Sequence, residues 1–265
     1  MSLASTLAAA SGPPSPGPAD FNLPAIFEVG ALEVTKPMVL LAFSAVLIVA
    51  LFAASARPAA VVPGRLQFAG EMVYGFVRNG IARDNIGSHD FQKFVPFLFA
   101  VFTFVFVNNY YGLIPVVQFP AMSHIGFPLA LAVITWLVYN GAGIKQHGFL
   151  GYLKHETVPS GMKGPILVLL VPLEFLSNIL LRPVTLTLRL FATMFAGHLL
   201  LLLFSLGAEY LLLHSENTLA IPAGIASAIL FVGISFLEIL VMFLQAYVFT
   251  LLASMYIGEA VADEH

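Results

Sequence analysis

The chain has 265 residues, 59% of them hydrophobic and 9% charged, with a mean hydropathy of +0.94. A soluble domain carries about 25% charged residues, so this composition excludes one and leaves an integral membrane protein. The net charge of -3 says little, because placement matters more than the total, and the absence of cysteine excludes disulfides and thiolate metal sites.

The N-terminus lacks the basic region of a secretory signal. Residues 11–18, SGPPSPGP, read as flexible or extended, so residues 1–35 are expected to form a flexible outer segment and 36–265 the membrane domain. Five apolar stretches follow, at 37–56, 94–117, 127–143, 165–206 and 220–257. Arg57, Arg65, Arg78, Arg83 and Lys93 fall between the first and second, and Lys145, Lys154 and Lys163 between the third and fourth. Segments 118–126 and 207–219 carry no Lys or Arg. By the positive-inside rule, the N-terminus is outside, and loops 57–93 and 144–164 are cytoplasmic. The acidic tail with Glu259, Asp263 and Glu264 is then cytoplasmic too.

Segment 66–78 places Leu66, Ala69, Met72, Val73 and Phe76 at helical spacing. It reads either as an amphipathic helix on the cytoplasmic face or as a helix packed on another subunit. In FVFVNNYYGLIP, Asn108 and Asn109 are packing amides or channel lining, and His124 is expected to be a solvated residue of the outer loop. At about 1.5 Å per residue, stretches four and five would each approach about 60 Å, twice the roughly 30 Å of hydrocarbon. No loop-forming cluster interrupts either, and a tilt of about 40° does not absorb the excess. The pattern favours an all-α protein of about five transmembrane helices and one interfacial helix, the last two forming a long, strongly inclined antiparallel hairpin.

The hairpin carries ionisable groups where lipid burial makes them costly. Arg189 lies mid-run in RPVTLTLRLFATMFAGHLLLLLF, and a guanidinium stays protonated at any physiological pH. Glu174, Asn178 and Arg182 are spaced to share a face, with Arg182 either neutralising Glu174 or snorkelling to the interface. His198 turns away from Arg189 and lies about 13 Å further along the axis. In antiparallel register, His198 falls level with Glu238, and Arg189 level with Gln245. A carboxylate and an imidazole at one level can relay protons, whereas an arginine facing a neutral amide remains a fixed charge. His198 could alternatively be an interhelical hydrogen-bond partner. No GxxxxGK[ST] loop or HExxH pair is present; no cofactor, metal or nucleic acid is expected.

At RPVTLTLRLFATMFAGH the chain resembles the F-type ATP synthase subunit a family. The likeness continues in VVPGRLQ at 61–67, VNNYYGLIP at 107–115 and LQAYVFTLLASMYI at 244–257. The resemblance implies that Arg189 faces the essential carboxylate of a rotating c-ring and separates two half-channels. It assigns Gln245, His198 and Glu238 to the outer half-channel or relay and Asn109 to a polar position near it. Glu174 and Asn178 then lie toward the inner half-channel. Thr193 stands where many members have asparagine, and Gly112 where some have aspartate. The implied partners are c-ring subunits, peripheral-stalk b subunits, other ATP synthase subunits and the bilayer of a bacterial inner membrane. The rival class is a stand-alone secondary transporter for an anionic substrate, which would be expected to show repeats and broken helices.

Overall fold

The structure is a computed structural model that describes residues 17, 25–29, 32–56, 64–87, 90–114, 119–157, 167–214 and 220–262. Segment 11–18 apart from Gly17, and the tail residues Asp263 and Glu264, lie outside them. The first element is a short hairpin at the end of the segment 1–35. Strand β1 (Ala25–Val29) pairs antiparallel with β2 (Leu32–Thr35), Val29 opposite Leu32. Two β-favouring runs flanking Gly30 are a hairpin signal, which the Pro-rich segment before them overshadows.

Helix α1 (Lys36–Ala56) is followed by α2 (Arg65–Val77), which runs through π-helical Arg78–Ala82 into the short α3 (Arg83–Ile86). Next come α4 (Phe91–Tyr110), a 3-10 turn (Ala121–Ser123) and α5 (Gly126–His147). Helix α6 (Phe149–Thr157) begins at Gly148, whose φ of 73° suits a residue without Cβ. The fourth stretch is one helical run: α7 (Leu167–Phe175), π-helical Leu176–Leu181, α8 (Arg182–Glu209) and π-helical Tyr210–His214. Helix α9 (Ala220–Val261) is unbroken over 42 residues.

Five of these runs are long and apolar enough to cross a membrane: Lys36–Ser55, Phe91–Tyr110, Gly126–His147, Leu169–His214 and Ala220–Val261. The protein is an all-α integral membrane protein, with the small β-hairpin as an appendage. At about 1.5 Å per residue, α9 is about 63 Å long. It exposes apolar side chains from Ile221 to Met255, so it crosses roughly 30 Å of hydrocarbon obliquely.

The register of α8 on α9 is antiparallel. Ser227 Oγ donates to the Phe204 carbonyl at 2.9 Å. A Cβ at Gly207 would meet Ser227 Oγ at 3.3 Å, and one at Gly197 would meet Glu238 Oε1 at 3.1 Å. Small residues let the two backbones approach, as in other membrane helix pairs.

Helix α2 forms where the amphipathic pattern predicts it and packs within this chain. Tyr74 meets Phe99 edge-on at 5.7 Å, Phe76 lies 5.6 Å from Phe102, and Val77 is buried. Leu66, Phe68 and Met72 stay exposed, leaving an apolar face as an interfacial helix does. The loop after α4 folds back inward: Ala121, Met122 and Ser123 are buried beneath it. His124 is accordingly half-buried between the rings of Phe119 (5.8 Å) and Phe127 (6.2 Å) rather than a freely solvated loop residue.

The far end of α9 is held by contact with α3. A Cβ on Gly258 would run into the Asn85 carbonyl, a backbone atom that cannot swing aside. Gly258→Val is expected to destabilise the bundle by about 1–3 kcal/mol, the range for overpacking a closed core. Thermal unfolding in detergent reads this out, and an unchanged midpoint would contradict the packing.

Candidate functional site

Helix α8 presents two different faces. Leu186, Leu190, Met194 and His198 recur at four-residue spacing and are buried. Thr185, Leu188, Ala192, Ala196 and Leu200 form the exposed side, and Arg189 is exposed beside them. The Arg189 guanidinium makes no ion pair or hydrogen bond among the described residues. It is a fixed cation on the exposed face, one or two turns from Thr185, Ala192 and Ala196.

His198, 7% exposed, and Glu238, 4% exposed, point into the bundle instead. Glu238 Oε1 lies against Gly197, the neighbour of His198, so the two residues share a level as the register predicts. Neither Glu238 oxygen has a hydrogen-bond partner among the described residues. Asn109 Oδ1 and Nδ2, Gln245 Nε2 and the Tyr111 hydroxyl are likewise buried and unpartnered. Buried polar groups normally find partners, so these unsatisfied atoms set this part of the bundle apart from the apolar core. Beside it opens a cavity of about 430 Å³, lined by Gly112, His198, Leu201, Ser205, Ser235 and Ile239, among others.

The adjacent asparagines divide their roles. Asn108 Nδ2 donates to Ser44 Oγ at 2.9 Å and to the Phe104 carbonyl at 2.8 Å, tying α1 to α4. It is a packing amide. Asn109, one residue on and about 100° around the helix, is buried with no side-chain hydrogen bond among the described residues.

A second polar cluster is centred on Asn178, about 30 Å from His198 along the α7–α8 run. Asn178 lies in the π-helical Leu176–Leu181 segment, whose wider turn leaves carbonyls for other donors. Trp136 Nε1 donates to Ile179 O at 2.8 Å, and the Tyr139 hydroxyl to Asn178 O at 3.3 Å. Asn178 Nδ2 reaches Glu174 Oε2 at 3.2 Å, and Arg182 Nη2 donates to Asn178 Oδ1 at 3.0 Å, so the three do share a face.

Arg182 does not neutralise Glu174. Its ion pairs are with Glu259 at 2.8 Å and Glu156 at 3.6 Å, and its guanidinium covers the Tyr256 ring at 4.8 Å. Glu156 and Tyr256 are partners the sequence reading did not single out. Glu156 falls between apolar stretches, and only the docking of α6 brings it to Arg182. The helical spacing of Tyr256 and Glu259 was the one available signal.

No group of three or more His, Cys, Asp or Glu able to hold a metal occurs among the described residues. Fold and site together define a multi-pass α-helical membrane protein with a fixed cation on one face of a long hairpin and buried titratable groups at separate levels. A sequence profile of the ATP synthase A chain matches residues 38–258, and the chain belongs to that family. It is 57% identical to ATP synthase subunit a of a Nocardioides species, over 94% of each chain. The subunit a of Pseudarthrobacter chlorophenolicus is 48% identical over 94% of each chain. That of Streptomyces lividans is 40% identical over 96% of this chain and 90% of its own.

Proposed function

We propose that this chain is the stationary proton-conducting subunit of an F-type ATP synthase, offering two half-channels to a rotating ring of acidic membrane hairpins. The observation that carries this reading is the exposed Arg189, unpaired among the described residues, on a face that also carries Ala192 and Ala196, at a different level from His198 and Glu238. The N-terminus faces outward and the C-terminus the cytoplasm of a bacterial inner membrane, with peripheral-stalk b subunits as further partners.

Protons enter from outside through the cavity beside Gly112 and Ser235, pass His198 and Glu238 near Asn109, and neutralise a rotor carboxylate. A neutral carboxyl enters lipid at far lower cost than an ionised one. After nearly a full turn it reaches the inner half-channel near Glu174 and Asn178 and gives up its proton. Arg189 meets the ionised carboxylate between the two, and Gln245 stays neutral at the same level. Each charge crossing supplies about 2.3 kcal/mol per 100 mV, so several drive one ATP.

The chain has no cysteine, so Ala192→Cys introduces a single thiol, one turn from Arg189. Oxidative cross-linking of the assembled membrane sector to rotor hairpins carrying a cysteine near their acidic residue is expected to give a specific adduct. A chain that purifies alone and gives no such adduct would support a stand-alone transporter instead.

A further inference from the structure

Arg182 joins two carboxylates of very different exposure. The Glu156 side chain is 4% exposed and the Glu259 side chain 51%, with Arg182 at 15% between them. Asn178 completes the chain inward: its Nδ2 bridges the Glu156 carbonyl at 2.9 Å and Glu174 Oε2 at 3.2 Å, while its Oδ1 accepts from Arg182. Four elements therefore converge on one cation, and the acids around it run from buried to solvent-reached. The cation cannot pass protons, because a guanidinium does not deprotonate. Its effect is to let two neighbouring carboxylates be ionised together, which their mutual repulsion otherwise opposes.

We propose that Glu156 and Glu259 are the release station of the inner half-channel, deepening the function proposed above and resting on it. A rotor carboxyl gives its proton to the Glu174 carboxylate, and the proton then moves to a Glu156 oxygen. Protonated Glu156 loosens from Arg182, the longer of its two ion pairs. Glu259 takes the proton and passes it to water, leaving all three acids ionised as before. Tyr139 from α5, Tyr152 from α6, Glu174 from α7 and Tyr256 from α9 also face this site. Burial pushes the Tyr152 phenol far above its ordinary pKa, so it stays a neutral donor, bonded to Asn140 Oδ1 at 3.1 Å. Asn178 and Arg182 are positioning residues, and Glu156 is the proton acceptor.

The test is proton-driven ATP synthesis by the whole complex in sealed vesicles, with pH varied on the release side. Glu156→Gln keeps a hydrogen-bonding group for Arg182, so assembly is expected to be normal while the maximal rate falls about tenfold, a small share of what a positioned proton-transfer group can contribute. The dependence on release-side pH should flatten. Glu259→Gln should give a smaller loss, because water reaches that position, and Glu156→Asp should restore part of the rate. Wild-type rate and pH profile in Glu156→Gln would overturn the proposal. So would a loss matched by an equal loss of assembled complex with the pH profile unchanged, which marks a structural clamp. Arg189→Ala in the same vesicles separates the readings: if it abolishes synthesis while Glu156→Gln does not alter it, only the release station fails.

Discussion

Arg189→Ala is expected to lower proton-driven ATP synthesis in sealed vesicles by roughly 10²-fold or more, with the complex still assembled. The side chain is exposed and has no ion pair or hydrogen bond among the described residues, so its truncation removes little packing, and such surface changes usually stay within about 0.5 kcal/mol. What is lost is the counter-charge for a rotor carboxylate passing through apolar surroundings. An uncompensated charge there costs about 2.5–3.5 kcal/mol on insertion scales, and about 1.4 kcal/mol is a factor of ten in rate. A passive leak is the expected companion, since nothing then separates the two half-channels. Lysine should rescue only partly, because its charge is compact and its pKa shifts readily in a dry site. Synthesis at the wild-type rate by the alanine variant would remove Arg189 from the motor.

The levels of the hairpin were legible in the sequence because both of its determinants are one-dimensional. Helical period fixes which residues share a face, and antiparallel pairing fixes which share a height. Gly197 against Glu238 and Gly207 against Ser227 are where that arithmetic puts them. The opposed faces of Arg189 and His198 follow from the same period. Partners drawn from other elements were not legible. Glu174 lies eight residues before Arg182 on the same face and looks like its counter-ion, yet Glu156 and Glu259 take that place. Their approach depends on the docking of α6 and on the far end of α9, which no local pattern encodes. Neither were the π-helical turns, since propensity distinguishes helix from coil and not one hydrogen-bond step from another. Asn178 shows the consequence: carbonyls beside it accept from Trp136 and Tyr139, bonds invisible to a reading at 3.6 residues per turn. Adjacent Asn108 and Asn109 could be separated only once Ser44 of α1 was seen to claim the first.

Glu238→Gln should preserve the fold and slow proton entry, by roughly 10²-fold if the carboxylate is a positioned proton-transfer group. Both of its oxygens lack partners among the described residues, so the isosteric amide breaks none of the described hydrogen bonds and removes a buried charge that is costly to keep. Loss of assembly is therefore not the expected outcome, and thermal stability in detergent should hold or rise slightly. The rate should fall because the amide can neither take up nor release a proton. Its dependence on pH at the entry side should lose a titration step, while dependence at the release side stays as in the wild type. His198→Gln, at the same level, should impair the same step, and the double variant should be much less than additive, as expected of residues acting as a unit. Unchanged turnover in Glu238→Gln across the pH range would take Glu238 off the path. Fully additive losses would place His198 on a separate route, and the shared level would then be packing alone.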